Sequence, residues 1–137
     1  MAFNWKYKLL NRSLKQWIRI NFDILLISDP KECCPKVRLV GASYNVFNQM
    51  YTKENELIND MPYYVDNERL FAIWFDGIGE WAIGYLSDVK EGEITGGFFH
   101  NDEFVQCPND THDWQEYFDG EWNTNLNTKL SCNKDTN

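Results

Sequence analysis

Residues 71–86 read FAIWFDGIGEWAIGYL, and this stretch decides the fold. Its two ends, 71–75 and 81–85, alternate between the two faces of a strand, with bulky apolar side chains on one face. Between them, Asp-Gly-Ile-Gly at 76–79 supplies residues that tolerate the positive φ angles of tight turns. We therefore predict an antiparallel β-hairpin. One face of each strand is expected to carry Phe71, Ile73 and Phe75, then Trp81, Ile83 and Tyr85, with Ala72 and Trp74 on the opposite face.

Further strand-like runs follow along the chain, separated by turn residues. They are KVRLVG at 36–41, MPYYV at 61–65, GGFF at 96–99 and a closing NTNLNTKLSC at 123–132. A second Asp-Gly turn lies inside EYFDGEW at 116–122. Turn signals at intervals of roughly ten residues are typical of small β folds. The predicted fold class is therefore mainly β, a small antiparallel sandwich or barrel with an N-terminal helical segment.

The chain divides into three predicted segments. Residues 1–30 form a basic amphipathic or targeting-like segment, residues 31–133 form a disulfide-stapled β domain, and residues 134–137 form a frayed tail. Within the β domain, YTKENELIND at 51–60 is predicted as one helical turn or a long loop.

The first 28 residues leave three interpretations open. A basic start followed by an apolar run resembles a secretory signal, although Asp23 interrupts the run and no small-residue cleavage site is evident. The segment can also form a basic amphipathic helix on a membrane surface, or a helix packed on the domain. Membrane contact is expected only through residues 1–28, if at all. The apolar face of this helix would carry Leu10, Leu14, Trp17 and Ile18.

The charge of the chain is divided unevenly. Residues 1–28 carry five basic and one acidic side chain, whereas the remainder carries eight basic and twenty acidic ones. An acidic body repels the phosphate backbone, so we expect no nucleic-acid partner.

Four cysteines flank the aromatic-rich region of the chain. A bond between the neighbours Cys33 and Cys34 would strain the intervening peptide, so two crossed pairings with Cys107 and Cys132 remain open. Either pairing joins the start of the domain to its end and stabilises the fold by closing long loops. Zinc is the competing interpretation, but adjacent cysteines are poorly spaced as ligands and the two histidines match no finger pattern. The sequence therefore favours two disulfides.

Four tryptophans stand beside the predicted turns. The structural interpretation is that they form aromatic cross-strand pairs, which stabilise a sheet by roughly 0.2–1 kcal/mol each. The functional interpretation is that some of the rings are exposed and bind a sugar face or a partner protein. Trp74 is the strongest candidate for exposure, because it lies on the opposite strand face from Ile73. The candidate ligand-binding residues are Trp74, Trp81, Trp114 and Trp122.

The order of motifs between Cys33 and Cys132 resembles a recurring cysteine-bridged extracellular module of invertebrate secreted and surface proteins. The motifs are CCPKVRLVG, YNVFNQMY, MPYYV, FAIWFDGIGEWAIGYLSD, CP, W, GEW and a final Cys. The resemblance implies a central hairpin, paired cysteines and an extracellular binding or structural role. It implies no chemistry, because the module has no settled activity.

Support for catalysis in the sequence is thin, and the chain is not predicted to be an enzyme. No Gly-x-Ser-x-Gly, phosphate-binding glycine loop or His-Glu-x-x-His occurs. His100 and His112 lie in polar, loop-like sequence, where solvated imidazoles are expected. Two carboxylate pairs offer the alternative of a small hydrolase, namely Asp76 with Glu80 and Asp119 with Glu121.

Two further kinds of site are weakly indicated. Clustered oxygen ligands suggest a calcium site, since hard cations take six to eight oxygens. The N-x-S/T sequons at Asn11 and Asn109 are candidate glycosylation sites. No other cofactor is expected. The candidate calcium ligands are Asp102, Glu103, Asp110 and Asp113.

The sequence as a whole therefore predicts a secreted, disulfide-stapled recognition or structural module. It would act by non-covalent contact through exposed aromatics and acidic loops, with an extracellular protein or a glycan as its partner. The first alternative is a small lectin-like domain assisted by calcium, and the second is the carboxylate-pair hydrolase. A reduced intracellular domain anchored by its basic helix is a third.

Overall fold

The computed structural model describes residues 32–77, 79–89, 97–103 and 105–133. Within these residues nine strands form one antiparallel sheet. The strands are β1 (Lys36–Val40), β2 (Met50–Ile58), β3 (Met61–Asp66), β4 (Phe71–Phe75), β5 (Trp81–Tyr85), β6 (Phe99–Asn101), β7 (Trp114–Phe118), β8 (Glu121–Asn125) and β9 (Lys129–Cys132). Their order across the sheet is β8-β7-β6-β5-β4-β3-β2-β1-β9.

The sheet curls into a half-barrel, which confirms the mainly-β prediction. Strands β1 to β8 follow one another as a meander, and β9 returns to pair with the free side of β1. The architecture is one curled sheet and not a sandwich of two. The predicted N-terminal helical segment at 1–30 and the frayed tail at 134–137 lie outside the described residues.

The predicted hairpin at 71–86 is confirmed as β4 and β5. Phe71 pairs with Tyr85 and Phe75 pairs with Trp81, so the register matches the alternation in the sequence. At the tip, the backbone N–H of Glu80 donates to Oδ1 of Asp76 at 3.1 Å. The backbone N–H of Asp76 also donates to the carbonyl of Glu80 at 2.9 Å, so a side-chain and a backbone hydrogen bond close the turn together.

The prediction for residues 51–60 was wrong. They belong mostly to β2, which at nine residues is the longest strand described. Its register with β3 shifts between Lys53 and Leu57, so the period-two pattern is broken where a bulge interrupts the ladder. Most of its central side chains are also exposed, and a strand whose faces are both polar leaves no apolar signal to recognise.

The tips of two hairpins are joined by a buried amide. Asn59 and Asp60 both adopt positive φ, at 53° and 65°, which is the conformation of a two-residue hairpin turn between β2 and β3. The Asn59 side chain is 2% exposed and donates to the carbonyl of Phe75 at 2.9 Å. It also lies against Gly77, where a Cβ would meet it at 2.9 Å. The β2–β3 turn therefore supports the tip of the β4–β5 hairpin.

The inner, concave face of the sheet holds the main core. Apolar side chains from most strands meet there, together with Phe47 from a one-turn 3-10 helix at Asn45–Phe47. A smaller cluster covers the outer face of β4 and β5, where Trp74 packs with Val65, Ala72 and Ala82. The largest fully buried side chains are Trp74, Trp81, Trp114, Tyr51, Tyr64 and Phe99.

All four cysteines are paired, as the sequence predicted. Cys33 bonds to Cys107 and Cys34 bonds to Cys132, with Cα separations of 5.4 and 5.7 Å. The bonds connect positions 74 and 98 residues apart. In the chain-entropy model, closing a loop of this size destabilises the unfolded state by up to about 4–5 kcal/mol. The segment before β1 is thereby tied both to the loop before β7 and to β9.

Two buried tyrosines fasten loops to the sheet. The hydroxyl of Tyr64 donates to the carbonyl of Cys34 at 2.6 Å, and that of Tyr51 donates to the carbonyl of Phe47 at 2.9 Å. Burial raises the pKa of Tyr64 to about 12 and raises the pKa of Tyr51 as well, where the charge of Asp66 adds to the effect. Both hydroxyls therefore remain donors under ordinary conditions.

The two ends of the curled sheet meet around a buried carboxylate. Glu116 of β7 is 3% exposed and accepts from the backbone N–H of Ser43 at 2.7 Å and from its hydroxyl at 2.6 Å. The Asn125 side-chain amide donates to the same carboxylate at 2.8 Å and to the carbonyl of Gly41 at 3.0 Å. We call Glu116, Ser43 and Asn125 the Glu116 cluster. Their hydrogen bonds join the β1–β2 loop to β7 and β8.

The backbone of the β1–β2 loop also approaches the β8–β9 turn closely. Gly41 has φ of 82°, and a Cβ added there would collide with the carbonyl of Asn127. Only glycine combines this conformation with so close a contact. The sheet is therefore drawn together at this corner, although β8 and β9 do not pair.

We predict that Glu116→Ala lowers the free energy of unfolding by about 2–4 kcal/mol, since it removes a buried carboxylate that accepts three part-buried hydrogen bonds. Urea unfolding with the disulfides intact measures the change. The control is Glu121→Ala, an exposed carboxylate in the same hairpin, for which we expect a change within about 0.5 kcal/mol. Equal losses in the two variants would contradict a special role for the Glu116 cluster.

Candidate functional site

The structure distinguishes sharply among the four candidate tryptophans. Trp74, Trp81 and Trp114 are each 0% exposed, whereas Trp122 is 46% exposed. Trp81 and Trp114 belong to the inner core, and their indole N–H groups donate to the carbonyl of Val105 at 3.0 Å and to the hydroxyl of Thr111 at 2.9 Å. These rings have no face available to a ligand. The predicted aromatic surface is therefore reduced to Trp122.

Trp74 does lie on the opposite face from Ile73, as expected, but that face is covered. Tyr63, Leu86 and Val89 pack against the cluster that contains Trp74. The prediction that Trp74 and Ile73 lie on opposite faces is confirmed, whereas the prediction that Trp74 is exposed is wrong. Burial of the outer face by the segment that follows β5 is a tertiary contact that strand alternation does not predict.

Trp122 lies at the other end of the same outer face. Across β6, β7 and β8, His100 pairs with Gln115, Gln115 with Thr124, and Tyr117 with Trp122. Residues directly opposite in an antiparallel pair project from the same face. We call these five residues, His100, Gln115, Tyr117, Trp122 and Thr124, the outer strip.

Ring contacts hold the indole of Trp122 in place. The Tyr117 ring lies 5.4 Å from it between centroids with a 59° tilt, and the His100 ring lies 5.1 Å away, edge-on at 61°. The imidazole is itself fixed, because its Nδ1 lies 2.9 Å from a carboxylate oxygen of Glu80. An exposed ring with fixed neighbours loses little conformational freedom when a ligand binds.

A polar pair accompanies the rings. The side-chain amide of Gln115 donates to the hydroxyl of Thr124 at 2.7 Å, and both residues are exposed. An amide and a hydroxyl each have more than one hydrogen-bonding position. The pair can therefore bond to each other and to a ligand at the same time. The outer strip thus combines an exposed indole with oriented polar groups on an open face of the sheet.

A second exposed aromatic pair lies at the inner face of the hairpin formed by β7 and β8. Tyr44 and Phe118 are 43% and 38% exposed, with ring centroids 4.6 Å apart. Phe118 follows Tyr117 in β7, so its side chain projects from the inner face near the Glu116 cluster. This pair is separate from the outer strip.

The four candidate calcium ligands are distributed over one loop region. Asp102 and Asp113 are exposed, and Asp110 belongs to a one-turn 3-10 helix at Pro108–Asp110. In the part of the chain that the structure describes, no group of three or more His, Cys, Asp or Glu side chains is arranged to hold a metal ion. The structure therefore gives the calcium prediction no support.

Glu103, the remaining candidate ligand, has another role. Its carboxylate accepts from the Asn101 amide at 3.1 Å and from the backbone N–H of His112, and the His112 ring lies 3.5 Å from its second oxygen. The backbone N–H of Glu103 donates back to Asn101 at 2.9 Å. Glu103 thereby ties the end of β6 to the segment that enters β7.

The sequon at Asn109 is partly inside the fold. Asn109 is half-buried, and Thr111 is 7% exposed. The Thr111 hydroxyl donates to the carbonyl of Pro108 at 2.5 Å while it accepts from Trp114. Glycosylation at Asn109 stays a prediction. The other sequon, at Asn11, lies outside the described residues.

The carboxylate pairs proposed for a hydrolase lie at opposite ends of the sheet. Asp76 and Glu80 are in the β4–β5 turn, beside the end where β7 begins, whereas Asp119 and Glu121 are at the turn where β7 ends. A five-residue strand separates those ends by roughly 17 Å. A pair of catalytic carboxylates flanking one bond needs a separation of at most about 9.5 Å. The fold does not bring these two pairs together.

Of the five residues of the outer strip, sequence reasoning named only Trp122 as a ligand contact, and it missed the support that His100 and Glu80 give to that ring. The expectation that His100 occupies a loop was wrong, because it lies in β6 and is half-buried. Glu80 was a candidate carboxylate partner of Asp76, and its contact with His100, 20 residues away in the chain, has no local signal. The alternation of buried Phe99 and Asn101 around His100 is a strand signal, but a three-residue strand is too short to identify with certainty from sequence.

Comparisons of the chain with family models, with curated proteins and with solved structures gave no match in any of the three. Among the described residues, no helix has the length and apolar character needed to cross a membrane. The functional argument therefore rests on the outer strip and on the cysteine framework.

We predict that Trp74→Ala and Trp122→Ala differ strongly in stability. Removing a fully buried indole leaves a large cavity and costs about 3–5 kcal/mol. Removing the half-exposed Trp122 is expected to cost about 1 kcal/mol or less, since it loses only surface ring contacts. Chemical denaturation of both variants gives the two values. A loss for Trp122→Ala as large as that for Trp74→Ala would place Trp122 in the core.

We also predict that EDTA leaves the melting temperature of the native protein unchanged within about 1 °C, whether or not calcium was added first. The physical reason is that Glu103 is already hydrogen-bonded within the fold, so calcium would have to displace these bonds. Thermal unfolding followed by circular dichroism is the measurement. A calcium-dependent rise in melting temperature that EDTA reverses would restore the calcium prediction.

Proposed function

We propose that this chain is an extracellular recognition module that binds its partner non-covalently through the outer strip. The observation that carries the proposal is Trp122, a half-exposed indole whose orientation is set by Tyr117 and His100. Tryptophan and tyrosine are enriched at binding hot spots because they bury a large area at low entropic cost.

The cysteine framework supports an extracellular location. Disulfides persist in oxidising compartments and are rare in the cytosol, and this chain has two that each connect distant segments. The resemblance to the cysteine-bridged modules of secreted and surface proteins points the same way. Bonds of this kind preserve a small domain where no chaperone can refold it.

The acidic body restricts the class of partner. Twenty acidic and eight basic residues follow position 28, so polyanions such as nucleic acids are repelled from this part of the molecule. An extracellular protein or a glycan without strong negative charge is the partner that this surface favours.

The geometry also favours binding over hydrolysis as the mode of action. Because the two candidate carboxylate pairs lie at opposite ends of β7, a cleft that joins one pair to the other has no support, and the paired-carboxylate hydrolase stays a less favoured alternative. A lectin-like function is the second candidate, and the Gln115–Thr124 pair beside Trp122 is the observation that favours it.

The proposal is tested by the retention of labelled native protein on extracellular matrix and cell surfaces of its source organism. We predict saturable binding of the wild type and at least about tenfold weaker binding of Trp122→Ala, because a central aromatic contact is lost. Fluorescence titration on immobilised matrix measures both affinities.

The matched control is Tyr44→Ala, which removes an aromatic side chain of similar exposure on the other side of the hairpin. It is expected to bind as the wild type does. Unchanged binding of Trp122→Ala, or an equal loss in both variants, would contradict recognition through the outer strip.

A further inference from the structure

We infer that the ligand of the outer strip is a neutral glycan, one of whose pyranose rings stacks on the indole of Trp122. This inference rests on the proposed function and names its ligand class. It is argued from the size of the strip, from its polar groups and from the charge around it.

The size of the outer strip fits a small ligand better than a protein partner. Three adjacent strands span about 10 Å between their outer axes, and the strip covers three positions along a strand, about 7 Å, which gives on the order of 100 Å² of sheet face. A protein interface of standard size covers about 800 Å² on each partner. The strip therefore matches one or two sugar rings, and it can supply only a fraction of a protein interface.

The aromatic part of the strip suits a sugar ring. A pyranose with equatorial substituents has one face made of C–H bonds, and such a face packs well on an indole. Trp122 presents 46% of its surface while Tyr117 and His100 contact it at tilts of 59° and 61°. Trp122 is the most exposed of the three rings, so it offers the largest face for stacking, and the tilted neighbours flank it.

The polar part of the strip suits hydroxyl groups. Gln115 and Thr124 are hydrogen-bonded to each other at 2.7 Å and exposed, and they lie two residues from Tyr117 and Trp122 along their strands. On one strand face, side chains two residues apart are about 7 Å apart. A sugar stacked on the indole therefore places its edge hydroxyls within reach of the amide and the hydroxyl.

The charge around the strip selects a neutral glycan over an anionic one. The contact between Glu80 and His100 places a carboxylate at one side of the strip. The remainder of the chain beyond residue 28 is strongly acidic. A sulfated or carboxylated polysaccharide would be repelled at physiological salt, whereas uncharged hydroxyls are not affected.

The deciding experiment uses the matrix preparation that the wild-type protein binds. One portion is oxidised with periodate, which cleaves the vicinal diols of sugars, and another is digested with protease. We expect periodate to abolish binding and protease digestion to leave the binding sites in place. Binding that survives periodate and is lost with protease would overturn the glycan inference and leave the proposed recognition module intact.

Purified probes sharpen the result. Soluble β1,4-linked oligomers of glucose and of N-acetylglucosamine are titrated by calorimetry, with heparin as the anionic comparison. We expect a neutral oligomer to bind, heparin not to bind, and Trp122→Ala to weaken binding about tenfold or more. Preferential binding of heparin would overturn the inference.

A conservative pair of variants tests the polar contact separately. Thr124→Val keeps the shape of the side chain and removes its hydroxyl, so we expect glycan affinity to fall about threefold or more. Thr52→Val, an exposed threonine in β2, is the matched control and is expected to have no effect. Loss of matrix binding in Trp122→Ala together with unchanged affinity in Thr124→Val would overturn the role given to the hydroxyl.

If the Trp122→Ala variant binds untreated matrix as the wild type does, the proposed function itself fails. That outcome is distinguishable from failure of the glycan inference, in which Trp122→Ala loses matrix binding but periodate has no effect.

Discussion

The carboxylate of Glu116 is the interaction on which the curled sheet depends. Among the described residues the edge strands β8 and β9 do not pair, and only the short turn at residues 126–128 connects them directly. Glu116 adds a side-chain connection between the two ends by accepting hydrogen bonds from Ser43 and from Asn125. A buried carboxylate is favourable only when its oxygens are satisfied in this way. The same hydrogen bonds therefore hold the β1–β2 loop against β7 and β8 and set their relative position.

The disulfides stabilise the same folded arrangement by destabilising the unfolded state. The adjacent Cys33 and Cys34 reach two different elements, the loop before β7 through Cys107 and the last strand through Cys132. Two long loops are thus closed from one short segment, which reduces the conformational entropy of the unfolded chain. The tyrosine bond to the carbonyl of Cys34 then fixes that segment against the sheet.

The candidate site is a consequence of how unevenly the outer face is covered. Over β4 and β5 the outer face is buried beneath the segment that follows β5, and Trp74 becomes a core residue. Over β6 to β8 the same face is open, and Trp122 becomes a surface residue. Both tryptophans follow the same alternation, so the difference between a structural and a binding role lies in what covers them. Contacts with His100 and Tyr117 then restrict the orientation of the exposed Trp122 ring.

The sequence by itself determined the features that depend on neighbours in the chain. The period-two pattern and the Asp-Gly turns specified the hairpin at 71–86, and the cysteine pattern indicated two disulfides. Only the tertiary structure decided the pairing of those cysteines, the burial of Trp74 and the contact between Glu80 and His100. The physical reason is that alternation assigns a side chain to a face of a sheet, whereas exposure depends on residues far away that cover that face. The strand β2 was missed for a related reason, since a bulge and two polar faces remove the local signal.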